Sequence, residues 1–239
     1  KGRQTTLAAW PAERIEVRDR HGEAELRDEE EWPIARTVAT PFWLDTDGKL
    51  TAQRPTAGAS IAYDAAAGEA NFDHRFEQDT ELTGHAKLRL WVEADGADDI
   101  DLFVALRKLD AEGQPVGQTF YAFYEDGPVA LGWLRASHRA IDPDRSDALQ
   151  PFHTHEREEM LAPGEIVPVE IELWPSSTSF RAGETLRVTI MGRDIYAEGL
   201  PFLPFARHER TRNAGRHIIH FGGAHDSHLL APVIPARKG

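Results

Sequence analysis

The stretch Pro168–Ile190, PVEIELWPSSTSFRAGETLRVTI, decides the fold class. Apolar residues alternate with polar ones over Val169–Leu173, and the same alternation returns over Leu186–Ile190. A period of two is typical of half-buried β-strands, because successive side chains on a strand point to opposite faces. The segment between the two runs contains Pro175, several serines and Gly183. We therefore predict two half-buried antiparallel strands separated by a turn-rich break.

Short segments of the same kind occupy much of the rest of the chain. Turn signals such as Asp95-Gly96 and Pro163-Gly164 separate them, and no long segment has the period of an amphipathic helix. This pattern predicts an all-β protein with a jelly-roll β-sandwich. The predicted strands are Arg14–Arg18, Thr40–Leu44, Ala59–Tyr63, Ala70–Phe76, Ala86–Glu93, Asp99–Arg107, Pro115–Tyr124, Val129–Ser137, Val167–Trp174, Thr185–Met191, Arg216–Phe221 and Ser227–Val233.

We expect one structural domain made of two parts. Residues 1–70 are predicted to be an N-terminal arm with the first strands, and residues 71–239 to be the sandwich. The segment Ile141–Glu165 has mixed charge inside and prolines or glycines near its ends. It is therefore predicted to be a long irregular crossover loop that joins the two sheets. The acidic run Asp28–Glu31 is interpreted as a solvated loop.

Composition narrows the class of function. The chain has 239 residues, of which 41% are hydrophobic and 28% charged, as is ordinary for a globular protein with a full core. A net charge of -13 argues against nucleic acid or an anionic membrane as a partner. No run reaches the roughly 18 apolar residues of a membrane helix, and no apolar run of a signal peptide follows Lys1–Gln4. The absence of cysteine fits the cytoplasm.

Several motifs, in order, resemble the carboxy-terminal domain of cocaine-esterase-like (CocE/NonD) and X-Pro dipeptidyl-peptidase serine hydrolases. The resemblance covers the chain from about Phe72 to Pro235. Four motifs at compatible separations accompany the stretch quoted first. They are Thr80–Val92, Asp98–Leu106 with Gly113, Gly132–Arg139, and His228–Pro235.

This resemblance implies a fold and a function. In that family the domain is a galactose-binding-like jelly roll that accompanies a catalytic domain and does not hold the nucleophile. The chain is then expected to be an accessory domain of an α/β-hydrolase acting on ester or X-Pro amide bonds, walling the active-site cleft and stabilising assembly. Its implied partner is an upstream catalytic domain absent from this chain, with a homo-oligomer as a further arrangement; no cofactor is implied. The alternative is a free-standing jelly-roll module that binds carbohydrate or another small ligand.

The residues themselves reveal no catalytic triad. The segment Gly58–Ala62 comes nearest to a nucleophile elbow around Ser60, but Ala62 stands where the second glycine belongs and a strand follows. Ser137 and His138 are adjacent on a predicted strand, so their side chains point to opposite faces. We assign no catalytic residue, and the sequence leaves open whether this chain is an enzyme.

Histidines and aspartates supply two candidates for cation binding. His153 and His155 share a face if their segment is extended, as a zinc pair requires, but no HExxH motif is present. The favoured interpretation is that these histidines form hydrogen bonds in loops or at an interface. Asp98, Asp99 and Asp101 carry the oxygen ligands that calcium prefers; alternatively they pair with arginines or backbone amides. No metal is assigned.

The aromatic residues also have two interpretations. Trp91, Trp133 and Trp174 lie within tight apolar alternation, which favours packing in the core. A carbohydrate-binding platform is the alternative, and it would also draw on Phe120, Tyr121, Phe123 and Tyr124.

Two groups of residues are expected to face the absent domain. Arg135, His138 and Arg139 follow one another at the end of a predicted strand, and the Arg135 guanidinium can pair with a carboxylate through two hydrogen bonds. The loop that contains Arg193, Asp194 and Tyr196 is expected to face the cleft, together with the loop before Asn71 and Phe72.

Overall fold

The structure is a computed structural model that describes residues 10–120, 124–196 and 208–235. These ranges contain β-strands and two short 3-10 turns, Thr46–Gly48 and Ala136–His138, and no α-helix. The all-β prediction is confirmed. The strands are β1 (Glu13–Arg20), β2 (Glu23–Glu29), β3 (Val38–Asp45), β4 (Lys49–Thr51), β5 (Ala59–Asp64), β6 (Glu69–Arg75), β7 (Thr80–Asp95), β8 (Asp101–Leu109), β9 (Pro115–Val116), β10 (Gln118–Phe120), β11 (Tyr124–Gly127), β12 (Ala130–Arg135), β13 (Val167–Phe180), β14 (Thr185–Met191), β15 (Arg216–Phe221) and β16 (His228–Ile234).

Most of the strands belong to one curled sheet. Its hydrogen-bonded path runs β12-β8-β14-β6-β4-β3-β16-β7-β13-β1-β2, with β15 between β5 and β7 and with β9 beside β8. The path folds back, so that β12 lies against β13: a Cβ atom on Gly132 would come within 2.2 Å of the Glu172 carbonyl oxygen. The two halves of the sheet therefore form the layers of a sandwich.

The decisive stretch supplies both layers of the core. Val169, Ile171 and Leu173 of β13 are at most 1% exposed, and Leu186, Val188 and Ile190 of β14 are fully buried. β13 pairs antiparallel with β7 and parallel with β1, whereas β14 pairs antiparallel with β6 and β8. The two strands are therefore not partners of each other.

The turn-rich break after β13 was predicted too early. The strand continues from Val167 to Phe180 and passes Pro175 through a register shift between Leu173 and Ser176. A bulge of this kind tolerates a proline, because the residue outside the ladder needs no amide donor. Phe180 then packs fully buried in the core, and the turn itself lies over residues 181–184.

The first seventy residues contribute β1 to β5. The hairpin of β1 and β2 joins the main sheet beside β13, and β3 pairs with β16. The sequence missed β2, because its alternation involves charged residues. Glu29, interpreted as part of a solvated loop, ends β2 and is buried. The hydrogen bond from Arg36, opposed by burial and assisted by Arg27, lowers its pKa to about 2. The division at residue 70 remains a prediction.

Of two further segments, the first agrees with its prediction and the second does not. The crossover 141–165 contains no strand and joins β12 to β13, as expected of a long connection between layers. The predicted strand Pro115–Tyr124 is divided among β9, β10 and β11, and residues 121–123 lie outside the described residues.

A buried lysine ties the hairpin to the sandwich. The Lys108 side chain of β8 is completely buried. Its Nζ atom donates to Asp19 Oδ1 and to the carbonyl oxygen of Ser179, and it forms an ion pair with Glu184 Oε2 at 2.7 Å. Burial acts to raise the pKa of Asp19, but the hydrogen bond and charge of Lys108, with Arg181 and Arg20, lower it. Three separate elements thus meet on one ammonium group.

We predict that Lys108→Met destabilises the chain by roughly 3–5 kcal/mol, because the buried Glu184 carboxylate loses its cation and Asp19 keeps only its contacts with Arg181 and Arg20. Denaturant unfolding measures this free energy directly. Lys49→Met is the matched control, since Lys49 is exposed and surface substitutions usually change stability by less than about 0.5 kcal/mol. Equal stabilities of the two variants would contradict the role of Lys108.

Candidate functional site

The candidate site is an open cavity of about 340 Å³ at the start of β8 and the end of β12. Charged and aromatic side chains share its wall, as is common in binding sites. The lining residues are Asp101, Leu102, Phe103, Trp133, Leu134, Arg135, His138, His153, His155, His208, Arg210 and Thr211.

A buried polar network forms the base of the cavity. Arg135 Nε donates to Asp101 Oδ1 at 2.7 Å and Arg135 Nη2 donates to Asp101 Oδ2 at 3.1 Å. Asp99 is fully buried and accepts from the backbone amide and the hydroxyl of Ser137 at 2.9 and 2.8 Å. The backbone amide of Arg212 donates to Asp101 at 2.6 Å. The expected two-bond pairing of Arg135 therefore forms within the chain.

The same network bears on the cation hypothesis for the aspartates. Asp99 and Asp101 accept from protein donors, whereas Asp98 is exposed and its backbone oxygen accepts from Leu161 N. In the described parts of the chain, no group of three His, Cys, Asp or Glu side chains is placed to hold a metal ion. The geometry thus supports the alternative interpretation, pairing with arginine and backbone amides.

The side chains of the residues that follow β12 point in two directions. The strand ends at Arg135, and the 3-10 turn Ala136–His138 breaks the alternation that a longer strand would have kept. His138 consequently lines the cavity with Arg135, whereas Arg139 turns to the carbonyl oxygens of Ala136 and Glu159. Of the three residues predicted to face the absent domain, two thus lie at the cavity.

Histidines of the crossover join His138 in the cavity wall. His155 Nδ1 lies 3.3 Å from His138 Nδ1, and the ring centroids of His153 and His155 are 6.0 Å apart. His155 has φ 52, so the segment is not extended there and its two histidines do not share a strand face. The sequence suggested the pair; only the fold could add His138.

The tryptophans at the site are exposed, and their predicted place in the core is wrong. Trp133 is 43% and Trp174 45% exposed, and their rings form an edge-to-face pair with centroids 5.3 Å apart. His208 packs against Trp133 at 5.4 Å and against Phe103 at 5.3 Å. The alternation is correct, but these rings occupy the outward positions of β12 and β13. Tyr121 and Phe123 of the alternative platform lie outside the described residues.

The two loops predicted to face a cleft contact each other. Arg193 Nη1 donates to the Gly68 carbonyl oxygen at 3.0 Å, which joins the loop after β14 to the loop before β6. Asp194 Oδ1 lies 3.0 Å from His208 Nδ1, so this loop also reaches the aromatic wall of the cavity. Tyr196 packs on Phe120 instead, with centroids 5.5 Å apart.

Ser60 has neighbours that resemble a triad without completing one. It lies opposite His220 on paired strands, and His220 Nε2 is 2.9 Å from Glu93 Oε2. No hydrogen bond joins Ser60 to His220, although both lie in the described ranges, and a nucleophile needs that contact with its base. The geometry gives Ser60 no activating partner.

A buried histidine anchors the segment that carries Arg210 and Arg212. His217 is 1% exposed, with Nδ1 3.1 Å from the Tyr63 hydroxyl and Nε2 3.0 Å from Asn213 Oδ1. Asn213 in turn accepts from the Asp101 backbone amide at 2.8 Å. Burial lowers the pKa of His217 to about 4, and burial raises the pKa of Tyr63. Both groups are therefore neutral at pH 7.

These features define a β-sandwich domain whose described part contains no assembled catalytic triad. The chain belongs to the family of X-Pro dipeptidyl-peptidase C-terminal non-catalytic domains, since the model of that family matches residues 8–230. The family predicted from the motifs is thereby confirmed.

Individual relatives are longer than this chain. A CocE/NonD family hydrolase from Staphylococcus aureus is 37% identical with a TM-score of 0.94, over 98% of this chain and 43% of that protein. A Mycobacterium bovis protein named "putative serine esterase" is 30% identical over 118 residues, which are 48% of this chain and 17% of that protein. The chain therefore spans less than half the length of this solved relative.

A distant structure shares the fold. An aminopeptidase from the marine sediment archaeon Thaumarchaeota archaeon has a TM-score of 0.61 at 14% identity, over 90% of this chain and 39% of that protein.

The described residues contain no helix that is long and apolar enough to cross a membrane.

We predict that the stability of the chain falls between about pH 6.5 and pH 4 partly because of His217. In this window the unfolded chain binds a proton at residue 217 and the folded chain does not, so acid favours unfolding. Because the pKa of His217 is lowered from 6.5 to about 4, the free energy of unfolding falls by roughly 3 kcal/mol across this window. Unfolding free energies of wild type and His217→Gln across this range should show a flatter profile for the variant. His21→Gln, on the surface hairpin, should keep the wild-type slope, and an unchanged slope in His217→Gln would refute the assignment.

Proposed function

We propose that the chain is the accessory C-terminal domain of a cytoplasmic serine hydrolase acting on ester or X-Pro amide bonds. The observation that carries this proposal is the coverage: nearly the whole chain matches less than half of the S. aureus hydrolase. On this proposal, a catalytic domain supplies the nucleophile and is the partner of this domain.

The exposed aromatic pair supports a docking role for the cavity face. Trp133 and Trp174 place two half-exposed rings side by side, and Arg135, His138 and Glu158 lie around them or at the adjacent cavity. An apolar centre with a polar rim is the usual arrangement of a protein interface. We therefore assign the contact with the catalytic domain to this face.

The linked loops support a role at the cleft. Arg193 ties the loop after β14 to Gly68, and Asp194 ties it to His208 at the cavity wall. A rigid wall beside an active site excludes water and orients substrate, both of which accelerate reaction without supplying a nucleophile. The domain would thus act by shaping the cleft and holding the assembly together.

The same tryptophans favour one alternative. Exposed aromatic rings beside a cavity with charged groups are also suited to stack on a sugar or another small ligand. A free-standing binding module would bind such a ligand without any second domain. Titration of this chain with oligosaccharides, followed by tryptophan fluorescence, distinguishes the alternatives.

We predict that this chain alone hydrolyses neither p-nitrophenyl acetate nor an X-Pro nitroanilide above the buffer rate. The reason is that Ser60 lacks a hydrogen-bonded base. Ser60→Ala is the control: a turnover that disappears in this variant would show that the chain carries its own nucleophile.

We predict that Trp174→Ala weakens association with the separately expressed catalytic domain at least tenfold, or about 1.4 kcal/mol. Trp174 is a better probe than Arg135, whose replacement would also unpair the buried Asp101. Sedimentation or calorimetry at tens of micromolar measures the association, and Trp10→Ala is the matched control because Trp10 is 66% exposed and does not line the cavity. Equal affinities of the two variants would remove this face from the interface.

A further inference from the structure

The strand β2 leaves one edge of the large sheet open. Within the described ranges it is the last strand on the hydrogen-bonded path and pairs with β1 alone. The other end of the path is closed, because β12 lies against β13 at Gly132. An edge strand presents a row of unpaired backbone N–H and C=O groups to which another strand can add. β2 therefore offers a place where a second chain can extend the sheet.

Charged side chains are the main control on what pairs with β2. Its residues Glu23–Glu29 include no proline, and its pairing with β1 is regular from Ala24 to Glu29. Most of the strand is exposed, and the Leu26 side chain is 67% exposed. Proteins commonly protect an edge with proline, a bulge or charges. Because β2 has only the charges, their order along the strand decides which partner strand fits.

The backbone limits how two copies of β2 can pair with each other. Alternate residues of an edge strand direct their N–H and C=O groups outward, and the others direct them to the strand that is already paired. An antiparallel pair must therefore set outward residues opposite outward residues. The two-fold axis then lies between one residue and the same residue of the second copy. Near the middle of β2 that residue is Glu25, Leu26 or Arg27.

The charges of β2 favour one of these three registers. A centre at Glu25 sets the two Glu25 carboxylates face to face and, although it puts Glu23 opposite Arg27, it shortens the ladder. A centre at Arg27 sets two guanidinium groups face to face. A centre at Leu26 uses the whole strand, with each Glu25 opposite Arg27 of the second copy and the two leucines together. Opposite charges across two strands stabilise the pairing and like charges destabilise it, so the centre at Leu26 is preferred.

The surroundings of these side chains suit that register. Glu25 is exposed and has no hydrogen bond or ion pair with another described residue. Arg27 is accessible to a second copy, because it and Glu25 line two open cavities of about 480 and 370 Å³ beside β2. The register sets Glu23 opposite Glu29 at each end, but the Glu29 carboxylate is buried and already accepts from Arg27 and Arg36. The one like-charge contact therefore involves a compensated carboxylate.

We propose that two copies of this chain associate through β2, antiparallel and centred on Leu26, so that the large sheet continues from one copy into the other. The contact closes with two copies, because the same residues face each other across the two-fold axis. One strand from each copy makes a small interface, so the dimer is reversible and depends on concentration. The proposal is independent of the catalytic partner, since β2 shares no residue with the cavity assigned to that contact.

Cross-linking through one introduced cysteine tests the register. The chain contains no cysteine, so a single thiol reports without interference. Leu26→Cys sets two thiols on directly opposed residues, whose Cα atoms are about 4.5–5.5 Å apart, within the roughly 4.4–6.8 Å that a disulfide spans. Ala24→Cys is the matched control, because Ala24 is also exposed but its two copies are four residues, or about 13 Å, apart along the strands. With oxidised glutathione as the oxidant, the dimer should form at least about tenfold faster in Leu26→Cys.

Sedimentation of the cysteine-free chain measures the association itself. The sedimentation coefficient should rise with chain concentration. Glu25→Lys should weaken the dimer at least about tenfold, because both Glu25–Arg27 pairs become like-charge contacts. Glu112→Lys is the matched control: it makes the same change of charge at an exposed residue outside β2 and should keep the wild-type association.

Three outcomes would overturn the proposal. The first is a chain that sediments as a monomer up to about 1 mM and gives no cross-link in Leu26→Cys. The second is cross-linking at equal rates in Leu26→Cys and Ala24→Cys, which indicates random collision. The third is a dimer that Glu25→Lys leaves unchanged, which would place the contact on another surface. The cross-linking result does not require Glu25→Lys to fold, so the register is tested in either case.

Discussion

The close approach of β12 to β13 is the constraint on which the rest of the structure depends. Gly132 permits it, because a Cβ atom there would come within 2.2 Å of the Glu172 carbonyl oxygen and a side chain has no space. This contact closes the curled sheet into a sandwich. It also brings Trp133, the next residue, beside Trp174, two residues beyond Glu172 on the opposing strand. One glycine thus determines both the closure of the core and the exposed aromatic pair.

The sequence predicted those strands that have a clear local alternation of apolar and polar residues. Alternation located β14 and β15 with their observed bounds, because most of their inward residues are apolar and their ends carry turn signals. It missed β2, whose residues are mostly charged and which is held by pairing with β1. It also ended β13 at Trp174, before Pro175, because the bulge that accommodates this proline depends on the partner strand β7.

The site was less predictable, because its contacts join residues distant in sequence. Arg135 was predicted to pair with a carboxylate, but its partner Asp101 is 34 positions away in the sequence. The pairing of β12 with β8 places the two residues opposite each other. The tryptophans were misplaced for a related reason. Alternation gives the two faces of a strand without saying which one is inward, and a large aromatic residue is a poor guide where the outward face is itself apolar.

The polar groups at the site that hold the structure together differ from the groups that are free to contact a partner. Asp99 and Asp101 are buried with their oxygens bonded to protein donors, so they fix the geometry and have little capacity for a ligand. Two other kinds of group are not bonded in this way: the tryptophans are half exposed, and His153 Nε2 is buried without a partner. Exposed aromatic area and an unpartnered nitrogen both raise the free energy of the isolated domain. Trp133 and His153 both line the cavity between β12 and the crossover, so exposed aromatic area and the unpartnered nitrogen lie in the wall of one cavity.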